Sequence, residues 1–131
     1  MNLKITKTHI LLMAIAIISH LIALAITWYY VIFAGLAKEC NGVAQSTMTS
    51  GNFIFFAAAS TILLVVAYLL IITFNPFGEQ NPALFVLCIG TIICELDALN
   101  DIWAITKNPL VILTNIVLTS MLNLLGIPVT C

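Results

Sequence analysis

The chain has 131 residues, of which 63% are hydrophobic and 7% charged, and its mean hydropathy is +1.20. Four lysines, no arginine and five acids leave a net charge of −1, which excludes a basic face for nucleic acid. They also exclude an ordinary water-facing surface, where about a quarter of residues carry charge. The composition therefore predicts an all-α, polytopic integral membrane protein, and the length predicts a single membrane domain over residues 1–131.

The first apolar stretch runs from Ile10 to Ala37, interrupted only by Ser19, His20, Thr27 and Gly35. It predicts a helix over about 10–36, longer than the ~20 residues that span hydrocarbon. Lys4 and Lys7 precede it like the n-region of a signal, but the apolar run exceeds the ~7–15 residues of a cleaved one. An uncleaved signal-anchor is the expectation. Trp28, Tyr29 and Tyr30 cluster near its far end, as residues of a membrane interface do. The segment Lys38–Asn52, KECNGVAQSTMTSGN, is rich in Gly, Ser, Thr and Asn and reads as loop.

Phe53 to Phe74 carries no charge and predicts a second spanning helix. The Asn-Pro turns of Asn75–Pro82 end it. A third apolar run begins at Ala83 and meets Glu95 after 12 residues. Apolar residues continue past the acids at Leu96, Leu99, Ile102, Trp103 and Ile105, so a helix over 83–106 is feasible and would just span. Lys107-Asn108-Pro109 breaks it. A fourth helix is expected over 110–127, with Asn115, Thr119 and Asn123 on it and Gly126 and Pro128 closing it.

These segments predict a bundle of four transmembrane helices. The alternative has three crossings, with 83–106 re-entrant or interfacial. Four crossings divide the lysines two against two, so the positive-inside rule barely votes. Three crossings of that kind group Lys4, Lys7 and Lys107 against Lys38. They also put Cys40 and Cys131 on one face, where an oxidising compartment would permit a disulfide. Cys88 and Cys94 read as buried structural thiols.

The residues that draw attention lie in CELDALNDIW, Cys94–Trp103. On a helical wheel Asp97, Asn100 and Asp101 share one arc, and Glu95 falls on the other face. Asp97 and Asp101, one turn apart, would repel if both ionised, so they suit a proton or a cation, unless they simply meet water. Glu95 falls near the midpoint of its helix, where a charge costs roughly 2.5–3.5 kcal/mol. It must be neutral or partnered. His20, on the stripe Ala16, His20, Ala23, Thr27, Tyr30, is the partner to test. Small and polar residues on one side mark the packed face of a membrane helix; Ala57, Ser60, Thr61, Ala67 and Tyr68 make a second such face.

No GxSxG, HExxH, P-loop, GxGxxG or CxxCH is present, and no ExxH of the di-iron bundles. No cofactor, metal site or catalytic residue is implied, and an enzyme is the reading with least support. The leading expectation is a structural or accessory subunit of a larger membrane complex, partnered by the bilayer and by other membrane subunits or further copies of itself. The alternative is a small transporter or ion- or proton-handling protein using Glu95, Asp97, Asn100, Asp101 and His20.

Overall fold

A computed structural model describes residues 6–36, 38–39, 41–47, 52–74 and 80–129. Its elements are α1 (Lys7–Thr27), which runs on into a π-helical stretch (Trp28–Phe33), then α2 (Gly42–Thr47), α3 (Phe53–Phe74), α4 (Gln80–Ile105) and α5 (Val111–Leu124). There are no named strands among the described residues. One isolated antiparallel bridge joins Asn41 to Val129.

Thr6 starts α1. Its side chain accepts the His9 N–H, and the Thr6 N–H donates to His9 Nδ1 at 3.2 Å. This is a capping box with histidine in the usual place of glutamate or glutamine. The buried residues that follow are Ala16, Ser19, Ala23 and Thr27, small enough to let a neighbouring helix approach closely. Most of the expected stripe is thus the packed face, with His20 and Tyr30 half-buried at its margin. Ala34 and Leu36 donate to the Tyr29 and Tyr30 carbonyls, and Gly35, at φ +64°, turns the chain out of the π-helical stretch.

Three polar contacts set the helix directions. His20 Nε2 lies 3.1 Å from Ser60 Oγ, and Thr91 Oγ1 lies 2.7 Å from Tyr68 Oη and 3.3 Å from the Leu12 carbonyl. Moving from Ser60 to Tyr68 on α3 therefore retraces α1 from His20 to Leu12, so α3 is antiparallel to α1. Beyond Thr91, the Asp97–Asp101 turn of α4 reaches the level of His20–Thr27, so α4 runs parallel to α1. These two helices form the main packed pair. Ala16, Tyr68 and Leu87 are the core, with Leu12, Met13, Leu64, Ile71, Ile72 and Cys94 around them.

The second expected helix, 53–74, matches α3 at both ends. The third is longer than expected, because Pro82 sits inside the first turn of α4 instead of ahead of it. A proline there loses no intrahelical bond, since first-turn N–H groups have no helical acceptor. Residues 83–105 are one continuous helix, long and apolar enough to cross a membrane.

The fourth helix departs from expectation. α5 has 14 residues, about 21 Å at ~1.5 Å per residue, against ~30 Å of hydrocarbon. Among the described residues, α1 with its π-helical extension, α3 and α4 are the helices long and apolar enough to cross a membrane. α5 starts from the turn after α4, at the end of the bundle where α1 also ends. Its far end pairs with Asn41–Gly42, which follow α1, and the Gly42 N–H donates to the Pro128 carbonyl at 2.7 Å. The segment after α5 thus returns to the end of the bundle at which α5 begins. Turn signals report where a helix stops and carry no information on its direction.

Candidate functional site: an acidic cavity beneath α5

Residues of α1, α3, α4 and α5, with Lys38, Glu39, Asn41 and Ala44, line a cavity of about 360 Å³. α4 supplies Cys94, Asp97, Asn100 and Asp101, and α1 supplies His20 and Thr27. Segment 38–44 adds Lys38, Glu39 and Asn41, and α5 adds Asn115 and Thr119. The rest of the wall is apolar, including Leu24, Phe56, Ile93, Leu118, Met121 and Leu122.

The arrangement follows from the faces of two helices. Ala83, Leu87, Thr91 and Ala98 are the buried residues of α4 and define its packed side. At about 100° per residue, Cys94 and Asp101 fall within the arc these residues span and Asp97 falls about 40° outside it, and all three line the gap beneath α5. Asp97 is exposed and Asp101 half-buried, both into this gap. Among the described residues neither carboxylate has a hydrogen bond or an ion pair. Asn100 is engaged: the Thr114 hydroxyl donates to its Oδ1 at 2.7 Å, and Thr114 is the buried residue of α5. That bond fixes the start of α5 on α4.

Segment 38–44 is held locally. Glu39 Oε1 accepts the Asn41 N–H at 2.9 Å, and Asn41 Oδ1 accepts the Ala44 N–H at 3.1 Å, capping α2. Glu39 thereby joins Asp97 and Asp101 as a third carboxylate on the cavity, against one lysine. The sequence analysis places Lys38 and Glu39 in a loop over Lys38–Asn52. The available signal was Asn41-Gly42, an N-cap that turns the chain back over the bundle.

Of the five residues singled out from sequence, His20, Asp97, Asn100 and Asp101 meet at this cavity and Glu95 does not. Glu95 is exposed on the outer side of α4. The expected His20–Glu95 pairing is absent: the His20 ring bonds to Ser60, and Glu95 is exposed. Ser60 Oγ also donates to the Ala57 carbonyl at 3.1 Å and does not line the cavity. Its contact with His20 ties two helices and presents no nucleophile to a substrate. Cys88 and Cys94 are free thiols, and both are half-buried instead of fully enclosed. No group of three or more His, Cys, Asp and Glu among the described residues could hold a metal ion.

Chemically, the cavity offers a cation two carboxylates one helical turn apart that are unpaired among the described residues, with polar amides and hydroxyls beside them and hydrocarbon walls behind. No protein-family model, curated protein or solved structure matches the chain.

Proposed function

We propose that this is a small multi-pass membrane protein that binds a small organic cation between Asp97 and Asp101, the recognition step of an ion- or solute-handling protein. α1, α3 and α4 cross the bilayer in this reading, and α5 lies across one end. The observation that carries the proposal is the pair of unpartnered carboxylates facing one cavity. Two such groups in a space of low dielectric repel unless a proton or a cation sits between them. About 360 Å³ falls in the size range of small-molecule sites, far more than a bare ion fills. The apolar walls favour alkyl groups on the cation.

The test is equilibrium binding to the purified full chain in detergent, with propylammonium and tetraethylammonium as probes. Saturable binding is expected, weakened at least about tenfold by Asp97→Asn together with Asp101→Asn, a loss of one charged contact's worth or more. Glu95→Gln should bind as the parent does. Absence of saturable binding, or equal binding by the Asp97/Asp101 variant, would sink the proposal.

Glu95 favours a second reading, the subunit role. It stands on an exposed face near the middle of α4, where an unpartnered charge in lipid costs roughly 2.5–3.5 kcal/mol. Its nearest remedy is a polar group from another membrane chain. Glu95→Leu should then abolish a complex seen by crosslinking in native membranes, while Asp97→Asn leaves it in place. A complex unchanged by Glu95→Leu rejects this role.

A further inference from the structure

Cys40 and Cys131 lie outside the described residues. Among the described ones a second hollow opens between α1 and α3, a shallow apolar groove of about 500 Å³. Its outer rim, with Leu21, Ile54, Ala58 and Ile62, is exposed. Thr61 is polar, but its hydroxyl donates to the Ala57 carbonyl at 2.7 Å and is engaged within its own helix. Leu24 is common to the walls of this groove and of the acidic cavity. At about 100° per residue, Leu21 and Trp28 fall to one side of Leu24 on α1, and His20, Ala23 and Thr27 fall to the other. The first set lines the groove and the second lines the cavity. On α3, Phe56 lines the cavity, while its neighbours Ala57 and Ala58 line the groove. One half-buried leucine and one step along α3 therefore divide an acidic cavity from an apolar groove on the outer surface. The His20–Ser60 contact ties α1 to α3 one turn before Leu24 and fixes the inner limit of this boundary.

We infer that the groove holds the alkyl chain of the cation whose charged head the Asp97–Asp101 pair takes, so that the ligand is an amphiphilic alkylammonium that enters from the bilayer between α1 and α3. The assignment rests on the cation reading of the cavity. Charge complementarity places the ammonium at the α4 carboxylates, and the groove, one side chain away, offers its chain a wall of hydrocarbon. An ammonium of this kind gathers in a bilayer before it meets the protein, head at the interface and chain among the acyl chains. Trp28, on the groove wall, is of the residue type that sits at that interface. The groove therefore meets such a ligand in the orientation it already holds. Leu24 is the side chain that turns aside to let the chain pass, and its staggered rotamers supply the alternative positions.

The test uses the full chain in phosphatidylcholine vesicles and an octylammonium that carries a diazirine at the end of its chain. After irradiation the labelled residues are identified by mass spectrometry. The expected adducts fall on the groove, at Leu21, Ile54, Ala57, Ala58 or Ile62. They should be lost with excess tetraethylammonium and in the variant with Asp97→Asn and Asp101→Asn. Ala58→Trp fills the groove from an exposed position, where it leaves the helix packing alone. It should remove the adducts while propylammonium binds in detergent as it does to the parent. Adducts confined to Leu118, Met121 and Leu122 would show that the chain stays in the cavity, and would overturn the proposal. Groove adducts that persist without both aspartates would overturn it too, since the groove would then take any acyl chain of the bilayer. Aspartate-dependent binding of propylammonium with no groove adduct removes the groove's role alone. Absence of propylammonium binding removes the cation reading itself, and the groove's role with it.

Discussion

Tyr68 and Thr91 carry the contact that joins three helices. The Tyr68 hydroxyl meets Thr91 Oγ1 at 2.7 Å, Thr91 bonds the Leu87 carbonyl at 2.8 Å, and the Leu12 carbonyl of α1 lies at 3.3 Å. Tyr68→Phe removes one partner and leaves Thr91 its carbonyl, so a loss of about 1 kcal/mol is expected. Thermal unfolding of the detergent-solubilised chain measures it. Gly90 lies against the same ring: a Cβ there would stand 3.3 Å from Tyr68 Oη. Gly90→Ala should cost about 1–3 kcal/mol by overpacking, and noticeably less in the Tyr68→Phe background, where the clashing oxygen is gone. Additive losses in the double variant would show that the two sites are not coupled. At this scale much was legible. The wheel separated Glu95 from Asp97 and Asp101 because side-chain direction on a helix depends only on spacing. The partner of His20 was not legible, since the choice between Ser60 and Glu95 depends on how α3 and α4 are placed around α1.

The elements begin and end for reasons that the sequence shows only in part. α4 stops at Lys107, which takes φ 56°, with its N–H on the Ala104 carbonyl and the Asn108 N–H on that of Trp103. These are the two bonds of a Schellman cap, in which glycine is the usual left-handed residue. α5 ends the same way with Gly126 at φ 73°, the Gly126 N–H on Asn123 and the Ile127 N–H on Leu122. A lysine in that conformation carries strain that a glycine lacks. Lys107→Gly should therefore stabilise the chain by up to about 1 kcal/mol, less the entropy gained by the unfolded state. A fall in melting temperature would contradict this. Lys107-Asn108-Pro109 and Gly126-Pro128 were readable as stops, because the chemistry of a cap is local. The length of α5 was overestimated from the apolar run, since Leu110, Leu125 and Ile127 are apolar residues of the turns at its two ends.

At the scale of the whole molecule, large hydrophobic side chains are exposed all along the helices, from Ile10 and Leu11 on α1 to Ile54, Phe55 and Leu63 on α3, a surface compatible with membrane insertion. Such a surface in water would associate without limit. If α1, α3 and α4 cross a membrane, Lys4 and Lys7 precede the first crossing while Lys38 and Lys107 follow an odd number of crossings, so the lysines divide two against two. Lysine bias therefore does not orient the chain. The arrangement is open to a direct check: in the chain with Cys88 and Cys94 replaced, single cysteines at Pro109 and Leu125 should label from the same side of sealed vesicles. Labelling from opposite sides would show a fourth crossing. The packing of α1 against α4 was foreshadowed by the small-residue stripe. The covering of one end by α5 and segment 38–44 was not, because it rests on one backbone pairing between residues almost ninety positions apart. That pairing also bears on amide exchange. α5 is anchored at its start by Thr114 on Asn100 and at its far end by Gly42 on Pro128, and a helix of 14 residues is marginal when left to itself. Its amides should be protected as a block only while both anchors hold, so weakening the pairing at residue 129 should make the deuterium uptake of Val111–Leu124 rise together, with α4 unaffected.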